Sequence, residues 1–296
     1  MRFGLVLACY CLLAPEALWA QELPKTVTDS ERSKVVIVND VVCGKMGDVD
    51  CKLDLALPVK KDKQAPCVVV IHGGAWRAGN KSGHAAQIKR FAELGYVSAS
   101  LQYRFCPTHT FPAQLEDVKC AVRFLRANAD KLGMDPKRIG AIGFSAGAHL
   151  AMMLDTVDED SDLEGSGGHA DQPSKVQVAV SIVGPTALDA EDLPIVSQGL
   201  LKDFIGGTPK EKPELTKKAS PIMHLSKDDG PILMIHGTKD ELVPQTQVYR
   251  MVDQMGVVGV KGRAEVLPGL GHGLNPAEAA RGMLEAEKFL GEVLKP

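Results

Sequence analysis

The chain of 296 residues is 45% apolar and 24% charged, enough for one sizeable core, which excludes a disordered or collagen-like polymer. Its formal net charge of -3 offers no broad basic field, so a nucleic-acid backbone is a poor partner and a small or neutral ligand a better one.

The first 20 residues read as a secretory signal. Arg2 precedes an apolar run over 3–14, and Leu18-Trp19-Ala20 before Gln21 places a small residue at the expected cut. The competing reading is a short N-terminal anchor. Beyond this segment no stretch reaches the roughly 18 uninterrupted apolar residues that a spanning helix requires, so no stable membrane insertion is expected. No Pro/Ser-rich linker divides the remainder, and residues 21–296 read as one domain bound for a secreted or periplasmic location.

Two strands are expected at 34–42 and 52–58, where Leu53, Leu55 and Leu57 share one face by period two. Cys43 and Cys51 flank a turn-like Gly44-Lys45-Met46-Gly47-Asp48, so a bridge closing that hairpin is expected in an oxidising compartment. With Cys67, Cys106 and Cys120 the expected mature chain holds an odd number of cysteines, so at least one stays free or pairs between chains. Cys67 opens an apolar strand and reads as buried and inert.

Compact apolar runs follow at 67–71, 96–101, 139–144, 176–183, 232–235 and 264–267, the pattern of strands buried on both faces of a parallel sheet. Helical spacing lies between them at 85–94 and 112–132, where Leu115, Val118, Val122 and Leu125 recur at three- and four-residue steps. A last helix begins at Asn275-Pro276, with Met283, Leu290 and Leu294 on one stripe. Alternating strands and helices make this an α/β fold with a mostly parallel central sheet. Two long connections, 155–175 and 185–225, interrupt the alternation and read as insertions walling a site.

The strongest local signal is Gly143-Phe144-Ser145-Ala146-Gly147, set between the expected strand 139–142 and a helical pattern over 149–154. A sharp strand-to-helix turn would expose Ser145 as a nucleophile, with glycines on either side removing side chains that would collide. A serine hydroxyl needs a base. His272, between Gly271 and Gly273 after the run 264–267, is the candidate, and Asp240, in the loop after 232–235, is the acid to orient it. The order Ser145, Asp240, His272 is the order this strand–turn–helix arrangement uses. Glu241 is the alternative acid, while His236 and His149 read as structural. The glycine-rich His72-Gly73-Gly74-Ala75-Trp76 after the run 68–71 can aim backbone N–H groups at a developing oxyanion. Gly74, Ala75 and Ala146 are the expected donors, and Trp76 the expected substrate wall.

These three motifs, in this order, resemble the esterase/lipase branch of the α/β-hydrolases over residues 52–293. The similarity is closer to secreted feruloyl- and acetylxylan-esterase-like proteins of the BD-FAE type, with hormone-sensitive-lipase-like carboxylesterases beside them. Ala75 stands where many hormone-sensitive-lipase-like members have a third glycine, and kynurenine formamidase-like members also carry a Trp in this loop. The resemblance implies a carboxylesterase-type serine hydrolase acting on short-chain or carbohydrate-linked acyl esters through an acyl-enzyme. An arylformamidase-like enzyme, a prolyl-oligopeptidase-type peptidase and an inactive hydrolase-fold binding protein are the alternatives. No phosphate-binding glycine fingerprint and no metal-ligand spacing occurs, so no cofactor or metal is expected. The acidic 155–175, read as a site wall, suggests a water-facing site, short acyl groups and no activation at a lipid surface. Oligomeric state leaves no mark in the sequence.

Overall fold

Runs of Val, Ile and Leu that alternate between two buried faces build the centre of the molecule. The computed structural model describes residues 34–59, 64–158, 162–273 and 276–295. The leader expected at 1–20 and the cap expected at Asn275 lie outside the described residues. In chain order the elements are β1 (Val35–Met46), β2 (Val49–Pro58), β3 (Ala65–Ile71), α1 (Ala85–Glu93), β4 (Val97–Leu101), α2 (Ala113–Ala127), α3 (Ala129–Leu132), β5 (Met134–Phe144) and α4 (Ala146–Thr156). There follow β6 (Val178–Ile182), α5 (Ile195–Ile205), α6 (Pro213–Lys218), β7 (Ile232–Gly237), α7 (Thr246–Val258), β8 (Gly262–Leu267) and α8 (Pro276–Leu294).

The strands form one sheet in the order β1-β2-β4-β3-β5-β6-β7-β8. β1, β2 and β4 pair antiparallel, and every pair from β4 onward is parallel. Side chains alternate across it as period two requires. Val178, Val180, Ile182, Leu233 and Ile235 pack with Ile88 and Phe91 of α1 and with Phe289 and Leu290 of α8. Ala179, Ile232 and Met234 face the other way, onto Met152 of α4 and Val248, Met251 and Met255 of α7. Helices therefore cover both faces, as a parallel sheet demands. The stripe Leu115, Val118, Val122 and Leu125 of α2 is wholly buried, each side chain contributing about 1.5–3 kcal/mol.

The structure departs from the sequence reading in four places. The single helix expected over 112–132 breaks at Asn128, whose side-chain N–H₂ donates to the Phe124 carbonyl at 2.9 Å, and α3 continues it. Three helices, α5, α6 and α7, were not expected.

The third departure is the hairpin bridge. Cys43, Cys51, Cys67, Cys106 and Cys120 are all free and buried. A register shift between Val42 and Gly44 sets Gly44, not Cys43, opposite Cys51, and the Cys43 thiol donates to the Cys51 carbonyl at 3.3 Å. Burial pushes the Cys67 thiol up to about 12, which makes it inert as expected.

Fourth, no described residue of the acidic segment after α4 lines the cavity that holds Ser145. The segment lies on α2, where Glu164 takes ion pairs from Lys119 and Arg123, two cations buried on that helix. Arg123 also donates to the carbonyls of Gly168 and Glu164 at 3.0 and 2.7 Å. The segment supplies the counter-charge that two buried cations need.

Candidate active site

Strands β3 and β5 are neighbours in register, Ile71 opposite Gly143, so the loops leaving them emerge side by side at the carboxyl end of the sheet. Open α/β sheets place their ligands at that end. Ser145 occupies the turn between β5 and α4 with φ 52° and ψ -117°. Its amide donates to the Ile182 carbonyl of β6 at 2.8 Å. The flanking glycines are steric necessities: a Cβ on Gly143 would sit 2.0 Å from the Gly147 carbonyl oxygen, and one on Gly147 2.2 Å from that of Ile71.

Asp240 follows β7 and His272 follows β8, and the two loops are laced together. Thr238 N–H donates to the Leu267 carbonyl at 3.1 Å, Lys239 N–H to that of Leu270 at 2.7 Å, and Gly269 N–H to the Thr238 hydroxyl at 2.8 Å. Across this lacing the His272 Nδ1 lies 2.8 and 3.0 Å from the two Asp240 carboxylate oxygens. Its Nε2 lies 2.9 Å from the Ser145 hydroxyl oxygen. A carboxylate can only accept, so Nδ1 carries the proton and Nε2 is left to receive one from Ser145. Burial alone would raise the Asp240 carboxyl. The His272 bond, with the N–H groups of Val243 and Leu242 at 2.8 and 2.9 Å, outweighs it and holds the acid below its ordinary range. Glu241, the alternative acid, is exposed.

Three of the other histidines are tied to backbone carbonyls. His236 Nε2 donates to the Val243 carbonyl at 2.7 Å, and His224 Nε2 to that of Lys218 at 2.8 Å. His149, wholly buried on α4, donates from Nε2 to the Ala219 carbonyl at 2.6 Å and accepts the Trp76 indole N–H at Nδ1, 3.3 Å away. Burial lowers it to about 4, so it is neutral, as this bonding requires.

Gly74, Ala75 and Ala146 all line the cavity in front of Ser145. The loop that carries the first two is braced from below. The Tyr103 hydroxyl donates to the carbonyls of His72 and Gly73 at 3.1 and 3.2 Å, and the Tyr103 ring stacks on that of His72 at 4.3 Å. Trp76 lines the cavity as expected, yet it is only 4% exposed, because it stacks on Phe204 of α5 at 4.2 Å.

The cavity measures about 520 Å³, within the size range of small-molecule sites. Its walls are apolar: Ile182 at the end of β6 with Val183 after it, Leu188 and Leu193 from the segment leading into α5, Leu201 of α5 itself, and Leu242 after β7. Of the two insertions, 185–225 supplies walls, and no described residue of 155–175 does. Ser197 is a polar liner, but its hydroxyl is turned to the Leu242 carbonyl at 2.5 Å. Among the described lining residues, His272 is the only basic or acidic one.

Among the described residues, positive φ at a non-glycine occurs at Asp40, Gln64, Ala75, Trp76, Ser145, His169 and Val183. Four of these, Ala75, Trp76, Ser145 and Val183, line this cavity. Such backbone costs about 1–3 kcal/mol per residue and collects where function over-determines the chain.

A mostly parallel sheet with a serine on a strand–turn–helix bend, and a histidine–carboxylate pair on later loops, defines an α/β-hydrolase. The chain belongs to the BD-FAE family, whose model matches residues 53–255. It is 33% identical to esterase LipC of Mycobacterium tuberculosis over 230 residues, 74% of this chain and 55% of that protein. It spans about half the length of the curated relatives it matches. Among solved structures it resembles a truncated carbohydrate esterase from gut microbiota, with 27% identity and a TM-score of 0.76 over 90% of this chain and 99% of the other. It also resembles esterase 2 of the planctomycete Thermogutta terrifontis, with 26% identity and a TM-score of 0.74 over 90% and 98% of the two chains.

Proposed function

We propose that the protein is a serine carboxylic ester hydrolase working through an acyl-enzyme. The observation that carries this reading is the His272 ring, bonded to Asp240 at one nitrogen and 2.9 Å from the Ser145 hydroxyl at the other, at the floor of an apolar cavity. Ser145 Oγ attacks the ester carbonyl while His272 Nε2 takes its proton, and Asp240 stabilises the imidazolium. Negative charge develops on the carbonyl oxygen and is met by backbone N–H of Ala146 and of Gly74 or Ala75. The alkoxide leaves with the proton held by His272, and water releases the acid by the same steps in reverse. No residue here is asked to hold a metal or cofactor.

The cavity supports esters whose acyl part is apolar and short. The similar Thermogutta terrifontis esterase has been solved with propionate bound, which supports acyl groups of that size here. A carbohydrate-linked alcohol would place its hydroxyls at the mouth, since the described walls give them few partners. The Arg2-to-Ala20 pattern supports export, with a mature chain starting at Gln21.

The test is labelling by a fluorophosphonate probe, with the modified peptide located by mass spectrometry, beside hydrolysis of p-nitrophenyl acetate, butyrate, octanoate and palmitate and of N-formylkynurenine. Adduct on Ser145 with turnover of the short esters is expected. An unlabelled Ser145, or turnover of N-formylkynurenine alone, would overturn the carboxylesterase reading.

A further inference from the structure

Val183 is a β-branched residue at φ 52°, the conformation that such side chains tolerate least. It follows β6 directly, one residue beyond Ile182, whose carbonyl receives the Ser145 amide at 2.8 Å. It is 4% exposed and lines the cavity.

The surroundings hold this backbone from every side. Val183 N–H donates to the Ile235 carbonyl at 2.9 Å. Gly184 is pressed so close to α4 that a Cβ there would lie 2.6 Å from the Ala148 methyl. The amides of Thr186 and Ala187 both donate to Gln247 Oε1, at 2.9 and 2.7 Å, and that of Leu188 donates to the Ser220 hydroxyl at 2.9 Å. Pinned on both flanks, residue 183 must take the left-handed conformation whatever its side chain. Glycine would adopt it without strain. The chain nonetheless carries valine, beside the nucleophile and in the wall of the apolar cavity.

We propose that Val183 is a specificity-determining residue: its side chain, aimed by a constrained left-handed backbone, sets how long an acyl group can lie beside Ser145. This rests on the esterase reading above. A wall methyl in contact with the acyl chain discriminates one methylene from the next by roughly 10–200-fold, so its removal or enlargement moves the length profile.

The experiment compares full-length wild type with Val183→Gly, Val183→Ala and Val183→Ile, measuring kcat/KM for p-nitrophenyl acetate, butyrate, hexanoate and octanoate below their micelle points, with Tm for each. Val183→Gly is expected to raise the octanoate-to-butyrate ratio on the order of ten-fold, and Val183→Ile to lower the butyrate-to-acetate ratio by a similar factor. Val183→Gly should also melt no lower than Val183→Ala, because glycine relieves the backbone strain that alanine keeps. If Val183→Gly fails to fold, Val183→Ile decides by its own ratio. Unmoved ratios in an active wild type and its variants overturn this proposal alone. A wild type inactive on the whole series and unlabelled at Ser145 overturns the esterase reading, and this proposal falls with it.

Discussion

His272 Nε2 stands 2.9 Å from Ser145 Oγ although 127 residues of chain separate them. The contact is made by two loops, one after β5 and one after β8, each anchored at its own strand. Ser145→Ala and His272→Ala should therefore both fold and both lose ester hydrolysis, by on the order of 10⁴–10⁶ in kcat, since nucleophile and base act as a unit. His236→Ala should act chiefly through stability, because its Nε2 bonds to the Val243 carbonyl. Turnover of p-nitrophenyl butyrate, with circular dichroism to confirm folding, separates the two effects.

Asp240→Asn should keep the loop geometry while offering His272 an amide in place of a carboxylate. The imidazole then loses its enforced tautomer, and a fall in kcat of about 10⁴ is expected by analogy with other triads. Glu241→Gln, at an exposed side chain, should be mild. The reverse ranking of these two variants would move the acid to Glu241.

The buried His149 and the half-buried His84 make stability depend on pH. Burial lowers His149 to about 4 from an ordinary 6.5, and His84 likewise to about 4. Between those values the unfolded chain binds protons that the folded chain refuses. Stability is thus complete above pH 6.5 and is lost as pH falls toward 4, by about 1.4 kcal/mol per pH unit for each such histidine. Urea unfolding between pH 7.5 and 4.5 should show this slope, and His149→Gln should flatten it by one histidine's share. Parallel slopes in the two proteins would show that His149 does not titrate on unfolding.

Gln247 is buried and gathers two amides at its side-chain oxygen, those of Thr186 and Ala187, while the Thr186 hydroxyl donates to the Gln247 carbonyl at 2.8 Å. Gln247→Leu keeps the volume and strands two buried N–H groups, each costing about 1–3 kcal/mol. A loss of about 3 kcal/mol or more in urea unfolding is expected, with a raised KM as the cavity wall loosens. A loss under about 1 kcal/mol would mean that the segment finds other partners.

Much of this was legible in the sequence, for identifiable reasons. The strands are short apolar runs, and Ser145, Asp240 and His272 each sit where such a run ends, the first and last among glycines. The helix α7 is also readable, since Val248, Met251 and Met255 recur at helical steps and are all buried. The helix α5 was not readable: Ile195 is 87% exposed while Leu201 is buried, and Gly199 interrupts the pattern. Nor can spacing show that Lys119 and Arg123 point inward, and so that Glu164 of the acidic segment answers them. The bridge expected between Cys43 and Cys51 failed for a similar reason, since a bulge in the register is set by the pairing of two strands. The constraint on Val183 belongs to the same class, because its φ is dictated by Ile235, Ala148 and Gln247, all distant in sequence.

The stretch from Val183 to Leu201 supplies more of the cavity wall than any other segment, whereas Ser145, Asp240 and His272 sit on three other loops. Much of the cavity wall is thus encoded in a tract of its own, apart from the reacting groups. Drift in that tract can retune which ligand the cavity admits while the reacting atoms keep their alignment, a modularity that lets one fold take on new substrates.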